Sequence, residues 1–285
     1  MFWLKKIADL FLFSNIFVAC CAVALCMSTE FLLGHHSYNI CLFVFFASLF
    51  TYNFQRLVRM KIYGKLSFRQ QWLQQNKFLL WVVTVFSSIA TVYFSLSLSY
   101  NSLRLLLPLG IIAFMYPLPL LYWGGRWWPL RELHGIKIFL ITFAWSLVSV
   151  GLLVEEYQIG WTNDVWLLLA HRLCFIFAIT IPFDIRDMKY DNLQLKTIPS
   201  VFGEEKARYI SLVALGIYEL LVIAQFIFGE VIDVKALIAL LCTSAITAYL
   251  LNKSTSEKGE YHFSFWVEGT SVLMYLFLMT TLFIF

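Results

Sequence analysis

Charge is what this chain most lacks: only 13% of its 285 residues are Asp, Glu, Lys or Arg, whereas 61% are apolar. A soluble domain carries about twice that charged fraction, so a water-soluble globule is excluded, and a mean hydropathy of +0.78 agrees. The formal net charge of +4 belongs to loops, where it suits anionic lipid headgroups and gives no support to nucleic-acid binding. Metal-ligand spacing is missing among the six cysteines, Cys20, Cys21, Cys26, Cys41, Cys174 and Cys242. They lie in apolar runs and read as small core residues. No Ser-His-Asp set, CxxC pair, P-loop or dinucleotide fingerprint is present, and the Gly124-Gly125 pair is too weak a signal to argue from.

What the chain has in abundance is long apolar runs. Crossing the hydrocarbon layer as a helix takes about 20 apolar residues, and nine runs qualify, near 11–33, 40–58, 78–99, 103–121, 136–154, 165–183, 209–228, 233–251 and 263–285. The expected fold class is all-α, a polytopic membrane bundle of about nine transmembrane helices. The first run follows Lys5 and Lys6, but it is too long for a signal-peptide core and lacks a clear cleavage site, so it is expected to be retained. Basic residues crowd the loops of one side, from Arg59 and Arg69 through Arg126, Arg186 and Lys206 to Lys258, against Arg104 and Lys235 on the other. The positive-inside rule then puts the N-terminus in the cytoplasm. Loop 59–77 is basic and amphipathic, with Ile62, Leu66, Trp72 and Leu73 among Lys and Gln, and is expected to lie on the membrane interface. The tryptophans of loop 122–135 read as interfacial anchors.

The most informative stretch is IPFDIRDMKYDNLQLKTIPSVFG, residues 181–203, which carries Asp184, Asp187 and Asp191 at the end of an apolar run. Spacings of three and four put these carboxylates on one helical face, where their repulsion calls for a cation. Magnesium, which combines a few carboxylates with phosphate oxygens, is the natural candidate. The cluster therefore points to a lipid-linked phosphate or diphosphate at a membrane surface.

The segments DIRDMKYD and KTIPSVFGEEKAR resemble the second aspartate-rich motif, and the tail that follows it, of the UbiA superfamily of intramembrane prenyltransferases. Nine spans, enlarged loops after the second and sixth, and Met115-Tyr116-Pro117 after the fourth are similar to that family over nearly the whole chain. The resemblance implies a single UbiA-like transmembrane domain, 1–285, built around a central cavity that opens to the cytoplasmic side. It implies Mg2+ held by Asp184, Asp187 and Asp191, which ionise a prenyl diphosphate for transfer to an aromatic or lipid acceptor. Lys137 sits where relatives often carry a lysine near the diphosphate, and Tyr116 belongs to the matched Tyr-Pro. The expected location is a bacterial inner membrane.

One part of the pattern is missing. The family's first motif should fall in TYNFQRLVRMK, residues 51–61, which contains no aspartate. Asn53 and Arg56, three apart, can both face a cavity, and a guanidinium can bind diphosphate directly. In this reading Arg56, Lys137 and Arg186 grip phosphate oxygens, Asn53 orients the pocket mouth, and Asn15 is a further lining candidate because an amide in lipid needs a partner. Arg56 reads equally as a positive-inside flank, and Lys137 as a side chain snorkelling to the surface. A terpene cyclase and a non-catalytic prenyl-diphosphate or lipid binder stand as alternatives; polar residues gathered at one face argue against a transporter.

Other ionisable residues have open roles. Arg172, within the sixth run, needs a partner, either Glu219 or Glu268, or else the substrate. His171 is a core histidine or a base. Glu30, His35 and His36, near the outer boundary, are expected to be solvated.

Overall fold

Apolar runs become helices because a backbone in hydrocarbon must satisfy its hydrogen bonds within itself. A computed structural model describes residues 2–60, 68–123, 125–130, 135–189 and 196–284. The helices are α1 (Phe2–Phe13), α2 (Ile16–Leu33), α3 (Tyr38–Arg59), α4 (Phe68–Gln75), α5 (Lys77–Ser95), α6 (Tyr100–Met115), α7 (Ile136–Ser146), α8 (Leu152–Glu156), α9 (Asn163–Asp187), α10 (Ile198–Phe202), α11 (Glu204–Phe228), α12 (Val234–Asn252) and α13 (Thr270–Ile284). A π turn, Leu147–Gly151, joins α7 to α8, and a π segment, His262–Val267, leads into α13. Among the described residues eight spans are long and apolar enough to cross a membrane by length and composition, and the shorter Tyr100–Met115 is a ninth apolar helix. The chain is an all-helical, multi-pass membrane bundle. Side-chain oxygens cap several helix starts, with Ser37, Ser99, Thr162 and Asp233 each accepting a backbone N–H of its own first turn.

The helices pack in a ring. α9 lies along α11 and, on its other flank, α7; α11 meets α12, α12 meets α13, α13 meets α2, and α2 meets α3. α3 touches α6, and α6 packs on α8, which closes the circuit, while α5 stands outside against α3. Buried Phe175, Ile179, Leu215, Tyr218 and Val222 fill the α9–α11 seam. Phe78, Trp81, Val85, Phe86 and Ile89 remain exposed along α5, as an outer helix in a lipid solvent requires.

Two boundaries differ from the sequence reading. The first apolar run is split at Ser14-Asn15, where Asn15 adopts a left-handed φ of 66°, a conformation Asn tolerates better than other side chains with a Cβ. The fourth run ends at Met115, and the expected loop beyond it contains an antiparallel hairpin of β1 (Pro119–Trp123) and β2 (Arg126–Pro129). Gly125, at φ +81°, supplies the positive φ such a tight turn needs. Tyr122 and Trp127 pair across the hairpin with ring centroids 5.2 Å apart and both stay exposed, consistent with interfacial anchoring.

α9 carries a proline, Pro182, two residues before Asp184. A proline has no N–H, so the carbonyl four residues earlier, Ala178, loses its helical donor. The Ser211 hydroxyl of α11 donates to that carbonyl at 2.7 Å. The neighbouring helix thus repairs the break and fixes the direction in which the last turn of α9 projects its aspartates.

Candidate functional site

A polar cavity of about 150 Å³ opens where α3, α6 and α9 end and α7 begins. Five cationic side chains line it, Arg56, Arg59, Arg69, Lys137 and Arg186, against three carboxylates, Asp184, Asp187 and Glu268. Few arrangements are less favourable in a bundle of this apolarity unless an anion completes them.

Each wall has its own cause. Asp184 and Asp187, three apart on α9, share a face. Asp184 is only 3% exposed and is ion-paired with Lys137 Nζ from the first turn of α7. Arg186 Nε donates to Asp187 Oδ1 at 2.8 Å, its Nη1 reaches Glu260 at 3.4 Å, and its guanidinium lies over the Phe183 ring at 5.2 Å. Arg56 comes from the last turn of α3; the charges around it are mainly the cations Arg69, Arg59 and Arg186, with the Asp187 carboxylate opposing them.

Arg69 is the residue that sequence reasoning missed. The expected interfacial loop contains the short helix α4, whose Phe68 and Trp72 rings pack on Phe13 of α1, each with centroids 5.8 Å away. That docking turns Arg69 inward, to 5% exposure, onto the cavity. Its Nη2 donates to Asn15 Oδ1 at 2.8 Å; Asn15 Nδ2 donates to Asn53 Oδ1 at 2.9 Å; and Asn53 Nδ2 donates to the Ser14 and Leu49 carbonyls, each at 2.9 Å. Asn15 and Asn53, both fully buried, therefore stand behind the cavity wall and hold Arg69 in place, where the sequence reading put them in the lining. Burial first, and then the nearby Arg186 cation, push the Arg69 guanidinium down to about 10, so it stays charged at neutral pH. Its Nε has no hydrogen-bond partner among the described residues.

A second cavity, about 270 Å³, lies between α3, α5, α6 and α7 and is lined chiefly by apolar side chains, including Phe43, Phe50, Phe54, Leu106 and Phe114. Tyr52 and Trp145 line both cavities. The Trp145 indole N–H donates to the Tyr52 hydroxyl at 2.9 Å, so one hydrogen-bonded pair forms the partition between a polar and an apolar compartment. Trp145 precedes the π turn of α7–α8 by two residues, and Glu268 follows the π segment directly; π bulges commonly occur at functional positions.

The remaining expectations fall as follows. Tyr116 lines the polar cavity. Asp191 lies outside the described residues. Arg172, buried in α9, pairs with neither candidate acid: its Nη2 donates to Ser28 and Thr29 at 2.9 and 3.0 Å, and Nη1 approaches the Met274 sulfur. Of the two proposed partners, Glu219 instead accepts from Ser244, and Glu268 faces the cavity. His171 is buried against the Tyr218 ring, 5.6 Å between centroids, and is not among the cavity lining. Glu30 is buried rather than solvated, because Tyr157, the Ser37 N–H and His36 supply its hydrogen bonds.

Magnesium needs carboxylate oxygens left open to it. Both described aspartates of the trio are already ion-paired, and the wall where the first acidic motif would stand presents Arg56, Arg59 and Arg69. Among the described residues no group of three or more His, Cys, Asp and Glu is disposed to hold a metal. Among the described residues this donor set does not fit the magnesium ions, shared between two acidic motifs, that the resemblance implies.

A ring of membrane helices enclosing a charged cavity beside an apolar one defines the class of fold. Solved structures similar to this chain are UbiA homologues. One from Archaeoglobus fulgidus, bound to GPP and Mg2+, is 14% identical with a TM-score of 0.66, over 96% of this chain and 100% of its own. The same organism's homologue bound to DMAPP and Mg2+ is 15% identical, with a TM-score of 0.65 over 97% and 99%. An apo homologue from Aeropyrum pernix K1 is 14% identical, with a TM-score of 0.64 over 94% and 98%. The chain thus has the UbiA fold from end to end. No protein-family model and no curated protein matches the sequence.

Proposed function

We propose that this chain is a UbiA-superfamily protein that binds a prenyl diphosphate, the diphosphate in the cationic cavity and the hydrocarbon in the apolar one, and transfers the prenyl group to an aromatic or lipid acceptor. The observation that carries this reading is the shared Tyr52–Trp145 partition, which sets a charged compartment directly against a greasy one. That is the shape of a ligand with an anionic head and an apolar tail. The structural neighbours bound to GPP and DMAPP support the same ligand class.

In the reaction the bond between C1 and the bridging oxygen breaks, and its electron pair leaves with the diphosphate. Arg56, Arg69, Arg186 and Lys137 stabilise the charge that develops there, which is the main demand of the step. A nucleophilic atom of the acceptor bonds to C1, and Glu268, which lines the same cavity, takes the proton that the acceptor loses. The Tyr52 and Trp145 rings flank the position of the allylic cation, where their π faces are favourable. The N-terminus and the cavity mouth face the cytoplasm of a bacterial inner membrane, following the basic loops.

A second reading, a binder that does not turn over, is favoured by the replacement of the first acidic motif with Asn53 and Arg56. The test is incubation of purified protein with prenyl diphosphates of several lengths and candidate acceptors, with pyrophosphate assay and mass analysis. Pyrophosphate with a prenylated acceptor supports transfer. Pyrophosphate with a free hydrocarbon makes the protein a terpene cyclase, and saturable binding without release makes it a binder. No binding at any chain length overturns the proposal.

A further inference from the structure

Resting on that reading of the site, we propose that the diphosphate is gripped directly by guanidinium and ammonium groups, with no divalent cation bridging it to carboxylates. Three observations carry this. First, the charge that would repel a metal is built into the wall: Arg56 and Arg69 line the cavity from α3 and α4, and the charges around Arg56 are mainly further cations, Arg69, Arg59 and Arg186. Second, the two described aspartates of the expected metal-binding trio are committed, Asp184 to Lys137 and Asp187 to Arg186. Recruiting a metal there would release the buried Arg186 and the partly buried Lys137, each of which would then need a new partner. Third, Arg69 is held in a fixed orientation by two buried amides while its Nε, buried in the wall, lacks a partner among the described residues.

A guanidinium offers parallel N–H donors that match phosphate oxygens in pairs. With Lys137 and Arg186 largely offset by their aspartates, Arg56, Arg59 and Arg69 have Glu268 as the remaining lining carboxylate. An anionic diphosphate supplies the missing negative charge. In this arrangement the aspartates of α9 aim Lys137 and Arg186 at the ligand. Their chemistry is that of positioning groups.

The test measures binding of geranyl diphosphate, and of inorganic pyrophosphate as a head-only probe, to the full chain in nanodiscs, once with excess EDTA and once with magnesium. The expected result is an affinity that changes by less than about threefold between the two buffers. In both buffers Arg56→Ala and Arg69→Ala are expected to weaken binding roughly 10-fold or more, the scale of a lost charge-assisted hydrogen bond. Arg56→Lys and Arg69→Lys, which keep the charge without the fork, should recover part of that loss and guard against misfolded alanine variants. Asp187→Asn separates the two pictures. Its amide oxygen can still accept from Arg186 Nε and keep that side chain aimed, so binding in EDTA is retained under direct capture, whereas metal bridging predicts that binding in magnesium is abolished. Binding that appears with magnesium and vanishes in EDTA overturns this inference and leaves the prenyl-diphosphate assignment standing. Absence of binding in both buffers overturns both.

Discussion

Arg69 Nη2 donates to Asn15 Oδ1 at 2.8 Å, across 54 residues of sequence. The bond ties the left-handed turn between α1 and α2 to a cation of the cavity wall, and Asn53 completes the tie from α3. Asn15→Ala and Asn53→Ala should each lower stability by about 1–3 kcal/mol, the cost of leaving buried polar groups unpaired. Both should also weaken diphosphate binding although neither side chain lines the cavity. Thermal unfolding and ligand titration on the same preparations check this; lost stability with unchanged affinity would make the amides purely structural.

Lys137 and Asp184 form the most enclosed ion pair of the site. Removing one partner of such a pair strands the other, at a cost of about 3–5 kcal/mol. Lys137→Met should therefore lower the unfolding temperature sharply. The double variant Lys137→Met with Asp184→Asn should regain most of the stability and still bind diphosphate poorly. A double variant that binds like wild type would remove Lys137 from the ligand's surroundings.

Pro182 and Ser211 give a test of how the aspartates are aimed. Ser211→Ala leaves the Ala178 carbonyl without its donor and should cost about 1–3 kcal/mol, with a parallel loss of diphosphate affinity as the end of α9 shifts. Pro182→Ala restores the helical N–H, so adding it to Ser211→Ala should recover stability. A double-mutant cycle in unfolding free energy reads the coupling directly, and additive effects would show that the hydroxyl is not compensating for the proline.

Gly110 lies in the apolar cavity with open space where a Cβ would stand. Gly110→Phe should narrow the hydrocarbon compartment, and so shift preference toward shorter prenyl chains while sparing binding of inorganic pyrophosphate. Relative affinities across a chain-length series measure the effect. An unchanged preference would place the tail elsewhere.

Much of this architecture was legible from the sequence because lipid imposes a simple demand: about 20 apolar residues per span. All nine runs are built mainly of helix among the described residues, although the first is broken at Asn15 and the fourth stops at Met115, and helical spacing alone placed Asp184 and Asp187 together. Arg69 was illegible because a lone arginine in a basic, glutamine-rich loop looks like a solvated flank, and its inward turn depends on aromatic docking against Phe13 and on amides far away in sequence. The cost of burying an amide did single out Asn15 and Asn53, but it could not distinguish lining from bracing. Glu268 was noticed only as a partner for Arg172, which found Ser28 and Thr29 instead. The partition between the cavities joins Tyr52 to Trp145 across 93 residues, beyond the reach of any local pattern. The hairpin at 119–129 was hidden in a stretch whose tryptophans already had an interfacial explanation.

The central claim is that a cationic wall on α3 and α4 holds the head of a prenyl diphosphate, and equilibrium binding of geranyl diphosphate to wild-type and Arg56→Ala protein tests it most directly. The account predicts a loss of about 1.5–3 kcal/mol, roughly 10- to 100-fold in affinity, with the fold retained. Equal affinity in a folded Arg56→Ala protein would contradict it.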